Sequence, residues 1–293
     1  MDGNQQTTRI DLYQRVTDEI VKAIEAGAGK YIMPWHGVLR GRPRNPHTGH
    51  AYQGINTLAL WATARNRGYV SIFWATYRQW REMGAKVRAG EKATMVILYK
   101  PVPVDAQDAE TGELVQDYRF VMRQYYVFNA VQVEGWVEPN RPVTGLIASH
   151  QEIENFIAAT GADIRTGDAA AYWRSGDYIT IPDKCRFVGS DSTTVTESYY
   201  STIFHELVHW TGHWMRLDRN LSGRFGDHDY AMEELVAELG AAYLCSEFFV
   251  LHLPRSDHAA YIATWLDVLR TDKRAVFSAS IAASRAVRFL LHS

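Results

Sequence analysis

Cysteine is scarce in this chain, and no hydrophobic run is long. The only two cysteines, Cys185 and Cys245, lie far apart and fit no metal-ligand spacing, so we expect reduced core thiols and no disulfide framework. No apolar run reaches the roughly 18 residues of a membrane span. The first residues, MDGNQQTTRID, are polar and do not resemble a signal peptide. These absences predict a cytoplasmic protein that makes no membrane contact.

The chain also lacks a large excess of charge of one sign. It has 31 Lys and Arg and 33 Asp and Glu, which give a net charge of −2. The distribution is uneven, however. From Lys30 to Lys100 there are 12 basic residues and only two acidic ones, Glu82 and Glu91, a balance of +10. The uneven charge excludes a DNA mimic, which needs acidic residues throughout. It indicates nucleic acid or an acidic partner for the N-terminal half.

The length of 293 residues accommodates two domains. The segment 134–145, EGWVEPNRPVTG, differs in composition from its surroundings and holds two prolines. We therefore predict a first domain over 1–135, a linker over 136–145 and a second domain over 146–293.

Hydrophobic periodicity predicts helices and strands in the first domain and mostly helices in the second. In the first domain, helices are expected over 9–26, over 56–67 and from Thr76, whose capping partner is Gln79, and strands over 93–100 and 118–128. In the second domain, helices are expected over 150–160 and 194–211, from 229, from 256 and from 272, with a short strand over 177–182. The fold class is therefore α+β, with two domains.

A metal-binding pattern lies inside the helix predicted over 194–211. Its residues are His205, Glu206, Leu207, Val208 and His209. Helical residues four apart lie about 40° apart around the axis, so both imidazoles face one side and can share one ion. Glu206 lies about 100° from His205, beside the ligands. We predict that it accepts a proton from water activated by the ion.

The helix that follows Asp229 supplies a carboxylate. Glu234 and Glu238 share one face, which predicts Glu234 as the third ligand and Glu238 as the group that orients a ligand histidine. This is the gluzincin arrangement. Glu233 is the alternative ligand, although the residue one turn further on is Ala237 and can orient nothing.

Two histidines with one carboxylate favour Zn²⁺, with Mn²⁺ or another divalent ion as the alternative. A third histidine ligand six residues after His209 is excluded, because that position is Met215. His228 and Tyr230 are both candidates for polarising a substrate carbonyl.

Aromatic side chains lie among the basic ones in the first domain. Basic groups can follow phosphates while aromatic faces stack on unpaired bases, as single-stranded DNA requires. Trp74 and Tyr52 are the first candidates for stacking, unless most of these aromatics belong to the core. The predicted DNA-binding residues are Arg40, Arg42, Arg44, Tyr52, Asn56, Trp74, Trp80, Lys86, Arg88 and Lys92.

Longer motifs resemble one known family. The segments PW (34–35), RPRNPHTGHAYQGIN (42–56), WATYRQ (74–79) and GAKVRAGEKA (84–93) resemble the N-terminal domain of ArdC-type plasmid antirestriction proteins. The segments HELVHWTGHWMRLDR (205–219) and YAMEELVAELGAAYL (230–244) resemble that family's zincin-type metallopeptidase domain.

The resemblance implies a module that binds single-stranded DNA, joined to a metalloprotease-like domain. Its implied role is to protect incoming conjugative-plasmid DNA from host restriction. A host protein of unknown identity is the substrate that the protease-like domain implies. Similar N-terminal modules are also attached to primases, so the module implies DNA binding more directly than antirestriction.

Two functional hypotheses follow from the sequence. In the first, the chain is a metallopeptidase, and the strand at 177–182 binds the substrate as an exposed sheet edge. In the second, the chain protects DNA by occupying it, and its metal site is structural or vestigial.

Overall fold

A computed structural model describes residues 11–28, 33, 41–107, 114–139, 150–188, 194–221, 227–250 and 258–293. The elements of the N-terminal half are α1 Leu12–Ala28, α2 Ile55–Arg67, β1 Trp74–Thr76, α3 Tyr77–Glu82, β2 Lys86–Val87, β3 Thr94–Gln107, β4 Leu114–Asn129 and β5 Val133–Glu134. Those of the C-terminal half are α4 His150–Ala159, β6 Asp163–Thr166, β7 Ala171–Trp173, β8 Tyr178–Ile181, α5 Val195–Thr211, α6 His228–Glu247, α7 His258–Thr271 and α8 Ala275–Leu291. The α+β class and the mainly helical second half are confirmed.

A three-stranded antiparallel sheet forms the centre of the N-terminal half, in the order β1-β4-β3. β3 and β4 pair along their whole length, from Thr94 opposite Val127 to Gln107 opposite Leu114. Residues 108–113, which connect the two strands, lie outside the described residues. The capping box predicted for α3 is confirmed: Thr76 accepts a bond from the backbone N–H of Gln79, and the Gln79 side chain accepts one from the Thr76 backbone N–H.

The two helices that carry the predicted metal ligands pack closely against each other. Thr194 and Glu197 form a capping box at the start of α5, which begins where the sequence predicts a helix. Gly240 lies where α6 passes α5, and a Cβ there would come within 2.6 Å of Val208 Cγ2. Glycine is therefore needed at this position, since any larger residue would push apart the helices that form the site.

One hydrophobic core joins the two halves of the chain. Ile20 and Ile24 of α1, Trp61 of α2 and Ile97 of β3 belong to the same buried cluster as residues of α5, α6, α7 and α8. Two smaller clusters lie within the N-terminal half. Cutting the chain at the predicted boundary would expose part of the large cluster, so measurements of DNA binding need the full chain.

The predicted linker is only partly described. Trp136 packs edge-on against Phe73 and Trp80, with ring centroids 5.3 Å and 5.2 Å away. This residue therefore packs with the N-terminal half, while residues 140–145 lie outside the described ones. The domain limits remain a prediction.

Two sequence predictions are wrong in the structure. The strand predicted over 177–182 is not a sheet edge: β8 lies in the centre of the order β6-β8-β7, parallel to β6 and antiparallel to β7. Side-chain burial alternates along β8. An edge strand with one covered face would give the same alternation of residues, so the sequence pattern does not distinguish a central strand from an edge strand. Cys185 is exposed, not in the core, because it lies on a surface 3₁₀ turn, Lys184–Arg186.

Among the described residues, no helix is both long and apolar enough to span a membrane.

Candidate functional site

α5 and α6 bring two imidazoles and one carboxylate together. Nε2 of His205 and Nε2 of His209 are 3.1 Å apart. The carboxylate of Glu234 places one oxygen 3.4 Å from His205 Nε2 and the other 3.6 Å from His209 Nε2. All three side chains are largely buried. Among the described residues, these three form the group that could hold a metal ion.

The donor set and its spacing fit a divalent cation. Ligand atoms around a tetrahedral ion at about 2.0–2.1 Å lie about 3.3 Å from one another, close to the separations of 3.1, 3.4 and 3.6 Å seen here. Three protein ligands leave a fourth position for water or substrate, as in catalytic sites. Burial opposes ionisation of Glu234, but the bond with His205 and the charges of both histidines outweigh it and lower its pKa to about 2. The group is therefore a carboxylate, as a metal ligand must be.

A second carboxylate lies behind each histidine ring. Oε1 of Glu233 is 3.1 Å from His209 Nδ1, and Oε2 of Glu238 is 3.7 Å from His205 Nδ1. A carboxylate hydrogen-bonded at Nδ1 fixes the tautomer that leaves Nε2 free to bind metal, and Glu233 is within that distance of His209. Glu238 lies on the predicted side of His205, but its oxygen is beyond hydrogen-bond distance of Nδ1. Glu233, considered above only as an alternative ligand, faces the other side of His209.

Arg219 holds Glu233 in place, and the sequence analysis did not identify it. Its guanidinium donates to both carboxylate oxygens of Glu233, at 2.8 and 2.9 Å. It also donates to the Val208 carbonyl and the Thr211 hydroxyl at the end of α5. Burial raises the pKa of Glu233, but the bonds from Arg219 and His209 outweigh it and the net shift is downward. Arg219 is the last residue of the motif HELVHWTGHWMRLDR, ten residues after His209. Its place in that motif was the one sequence feature that indicated a role at the site.

A cavity of about 290 Å³ opens onto the three candidate ligands. Glu206 lines it beside the histidines and is 4% exposed, so it is a buried carboxylate that borders the same space as the candidate ligands. Tyr230 also lines the cavity, and its hydroxyl bonds to Glu234. His228 is exposed and is not among the lining residues. Of the two candidates for polarising a carbonyl, the structure therefore favours Tyr230.

The edge strand β7 forms one wall of the same cavity through Ala171 and Tyr172. Among the described strands, it pairs with β8 alone. Its free edge can accept an extended peptide as an added strand. The sheet edge beside the cavity is therefore β7, and not residues 177–182 as predicted.

We expect Glu233→Gln to weaken metal affinity about 10- to 100-fold without removing any ligand. The reason is that Gln is neutral and has an NH2 group in place of one carboxylate oxygen, so it loses the charge that favours His209 Nδ1–H and places a donor against the N–H groups of Arg219. A competition titration with a chromogenic chelator gives the dissociation constant. The matched control is Glu134→Gln, an exposed glutamate elsewhere on the surface. Unchanged affinity in Glu233→Gln would show that His209 needs no carboxylate to orient it.

Four of the predicted DNA-binding residues are exposed: Arg44, Lys86, Arg88 and Lys92. Arg88 pairs with Glu91 at 2.7 Å, and Arg44 donates to the Gly49 carbonyl at 2.8 Å. Both contacts lie at the surface, where a phosphate can replace or share them. Arg40 lies outside the described residues.

Arg42 has a structural role in this fold. Its guanidinium bonds to Glu247 of α6 at 2.7 Å and lies 5.3 Å from the centroid of the Tyr243 ring. The Tyr243 hydroxyl in turn donates to the Gly54 carbonyl. These contacts hold the N-terminal loop against α6, so most of the charge of Arg42 is already compensated.

Trp74, a first candidate for stacking, and Trp80, another predicted DNA-binding residue, are both 0% exposed, so neither offers a face to a base. The Trp80 indole N–H donates to the Phe128 carbonyl, and Trp74 packs against Tyr69. A sheet this small has few residues with which to build a core, so its largest aromatics fill it. Asn56 is structural as well, since its amide bonds to both the carbonyl and the N–H of Ile97, at 2.7 and 2.8 Å.

Tyr52 is partly buried and lines a large cleft between the N-terminal sheet and α8. Its hydroxyl donates to the Trp74 carbonyl at 3.0 Å. Burial raises its pKa to about 12. The hydroxyl is therefore fixed in the fold, and only the ring is available to a ligand.

Two family models match different halves of the chain. The model for the N-terminal domain of the anti-restriction factor ArdC matches residues 10–128. The model for a zincin-like metallopeptidase matches residues 151–282. The second range contains all the candidate ligands and the residues that orient them.

Among known proteins, y4eC of Sinorhizobium fredii is 43% identical, covering 93% of this chain and 89% of that protein. The Escherichia coli DNA primase TraC is 35% identical over 95% of this chain but only 27% of the primase. The metal-free crystal structure of the antirestriction protein ArdC from the R388 plasmid is 39% identical, covers 96% of this chain and 97% of that one, and superposes with a TM-score of 0.74. The Mn(II)-bound structure of the same protein gives 38% identity and a TM-score of 0.72. Family models match both halves of the chain, and a solved ArdC structure matches nearly its whole length. The chain therefore belongs to the ArdC family of antirestriction proteins, with a zincin-like C-terminal domain.

Proposed function

We propose that this chain binds single-stranded DNA, hydrolyses peptide bonds with a bound Zn²⁺ ion, and thereby protects incoming plasmid DNA from restriction. The observation that carries the hydrolytic part is the convergence of His205, His209 and Glu234 with Glu206 beside them. Three nitrogen and oxygen donors in tetrahedral spacing favour zinc. The Mn(II)-bound structure of the R388 protein supports a divalent ion, and manganese is the alternative.

The metal would polarise the peptide carbonyl and make water acidic enough to lose a proton near neutral pH. Glu206 accepts that proton as general base while the water oxygen bonds to the peptide carbonyl carbon, since its carboxylate lines the cavity beside the ligands. The same group then donates the proton to the peptide nitrogen as the C–N bond breaks, which leaves an amine and a carboxylate as products. His205 and His209 stay oriented through Glu238 and Glu233 while the reaction proceeds.

Substrate positioning falls to β7 and Tyr230. An extended peptide paired with the free edge of β7 runs along the cavity that Glu206 lines. The Tyr230 hydroxyl donates its one proton to Glu234 when no substrate is bound. Turned towards a bound peptide, it would donate that proton to the carbonyl oxygen as negative charge develops there. The host protein that supplies the peptide is unidentified.

DNA binding is supported by the exposed basic residues of the N-terminal half and by the relatives that share it. Arg44, Lys86, Arg88 and Lys92 lie at the surface within the segment whose charge balance is +10. This region also occurs within a protein named as a DNA primase. Contacts of this kind give binding that is independent of sequence and weakens as salt rises.

Protection by occupancy is the second candidate function. It is favoured by the TraC match, which extends over 95% of this chain and so places the metal-site region, too, inside a protein named for a different reaction. In this case the metal site supports the fold or is vestigial.

Plasmid transfer into restricting and non-restricting recipients tests both candidates. We expect the wild-type gene to raise transfer into restricting cells and to have no effect in the others. If protection needs hydrolysis, Glu206→Gln removes it; if protection works by occupancy, Glu206→Gln protects as well as the wild type. A wild-type gene that gives no advantage in restricting recipients would refute the antirestriction role.

A further inference from the structure

A cleft of about 990 Å³ separates the N-terminal sheet from α8. It is more than three times as large as the cavity at the metal site, which measures about 290 Å³. β3 and β4 form one wall, α8 forms the opposite wall, and the loop around Gln53 closes one side. Both halves of the chain therefore contribute to it.

The charge of the cleft is of one sign. The charged residues among those lining it are Arg274, Arg285 and Arg288, and no carboxylate is among them, although the whole chain has a net charge of −2. Arg285 and Arg288 are exposed and lie three residues apart on one face of α8. Neither forms a hydrogen bond or an ion pair within the part of the chain that the structure describes. Two guanidinium groups without a partner among the described residues, in a cleft whose described lining holds no acid, form a site for an anion.

The basic wall continues beyond this cleft. A smaller cavity of about 140 Å³ shares Gln53, Ser284 and Arg288 with it and reaches His292, and its described lining again contains no carboxylate. The ligand is therefore an extended polyanion rather than a compact one, since the basic surface is a track rather than a single point.

The wall opposite α8 offers flat apolar surface. Leu98 and Tyr125 lie on the same face of the β3–β4 pair by the alternation of side chains, and they are 46% and 41% exposed. Ile281, on the α8 side, is 44% exposed. Bases can cover such surfaces only when they are unpaired, because a duplex keeps its base faces stacked inside.

We infer that single-stranded DNA lies in this cleft, with its phosphates against Arg285 and Arg288 of α8 and its bases against Tyr125 and Leu98 of the sheet. This inference rests on the proposed binding of single-stranded DNA and adds that the C-terminal domain supplies half of the binding surface. It also brings two residues of the first domain, Tyr52 and Gln53, into the site as lining of the cleft.

The phosphate contacts are tested in the full chain with the double variant Arg285→Gln/Arg288→Gln. A fluorescently labelled oligonucleotide is titrated at several salt concentrations, and the dissociation constant is read from anisotropy. We expect binding to weaken roughly tenfold or more at 50 mM salt, and the salt slope to fall by about 1.4, or 0.7 for each lost contact with a single strand. The matched control, Arg165→Gln/Arg186→Gln, removes the same charge from exposed positions outside the cleft and should bind like the wild type.

The stacking contact is tested with neighbouring tyrosines on opposite faces of β4. Tyr125 lines the cleft, while Tyr126 does not and is equally exposed, at 43% against 41%. Tyr125→Ala should weaken single-strand binding roughly 5- to 150-fold, the equivalent of one lost stacked base, and leave the salt slope unchanged. Tyr126→Ala should have no effect.

The outcomes separate this inference from the function on which it rests. If the wild-type chain binds no single-stranded DNA at low salt, the proposed function is wrong. If the wild type binds, while both α8 substitutions and Tyr125→Ala leave binding unchanged, the DNA lies on another surface and the inference is wrong. Circular dichroism confirms folding; a loss of binding in the control pair equal to that in the α8 pair would indicate an effect of net charge and would overturn the assignment to the cleft.

Discussion

Replacing His209 with Ala is expected to abolish stoichiometric binding of the divalent metal. Its Nε2 lies 3.1 Å from His205 Nε2 and 3.6 Å from a Glu234 oxygen, so its loss leaves only two ligands. His205→Ala and Glu234→Ala should act in the same way. Each loss should exceed the roughly 10- to 100-fold decrease expected for an orienting residue. Elemental analysis of protein purified without added metal measures the stoichiometry.

The matched control is His228→Ala. His228 lies at the start of α6, six residues before Glu234, but is exposed and does not line the cavity. It should retain the full amount of metal. Stoichiometric metal in Glu234→Ala would instead make Glu233 the ligand.

Removing the ion with a chelator should leave the far-ultraviolet dichroism unchanged, because the large core supports the fold without it. Global unfolding on chelation would indicate a structural ion.

Glu206→Gln is expected to keep the metal and to lower peptide hydrolysis about 10²- to 10⁴-fold, the usual contribution of a general base. The substitution keeps the size of the side chain, and Glu206 is not among the three grouped ligands. Gln cannot accept a proton from water. Release of fragments from an unfolded model protein, measured with zinc and with manganese, gives the rate.

Control measurements distinguish a lost base from a lost site. Metal content in Glu206→Gln should equal that of the wild type, whereas His205→Ala should lose both metal and hydrolysis. Hydrolysis that survives in Glu206→Gln at the wild-type rate would refute Glu206 as the base. Absence of hydrolysis in the wild type with either metal would favour protection by occupancy.

Local signals in the sequence predicted the helices that carry the metal site. Thr194 with Glu197 begins α5, and the spacing of His205 and His209 places both rings on one side because helix geometry is regular. The same regularity makes Glu234 and Glu238 share a face. The capping box of α3 was predictable for the same reason, since it involves residues only three apart.

Contacts between distant segments were not predictable. Arg219 holds Glu233 because the chain turns back after α5, and no periodicity encodes that turn. The burial of Trp74 and Trp80 depends on which face of a small sheet meets α2 and α3. A tryptophan that is exposed for stacking and one that fills a core look alike in sequence, because both are large, flat and apolar.

The sequence by itself determined the α+β class, the helices of the site and the group formed by two histidines and a glutamate, since each depends on regular geometry within one segment. Only the tertiary structure decided how those segments meet. It placed β7, not β8, at the sheet edge beside the cavity. It also placed Arg285 and Arg288 across a cleft from Tyr125. The physical reason is that packing energy depends on which surfaces bury each other, and residues far apart in the chain choose their partners only when the whole core forms.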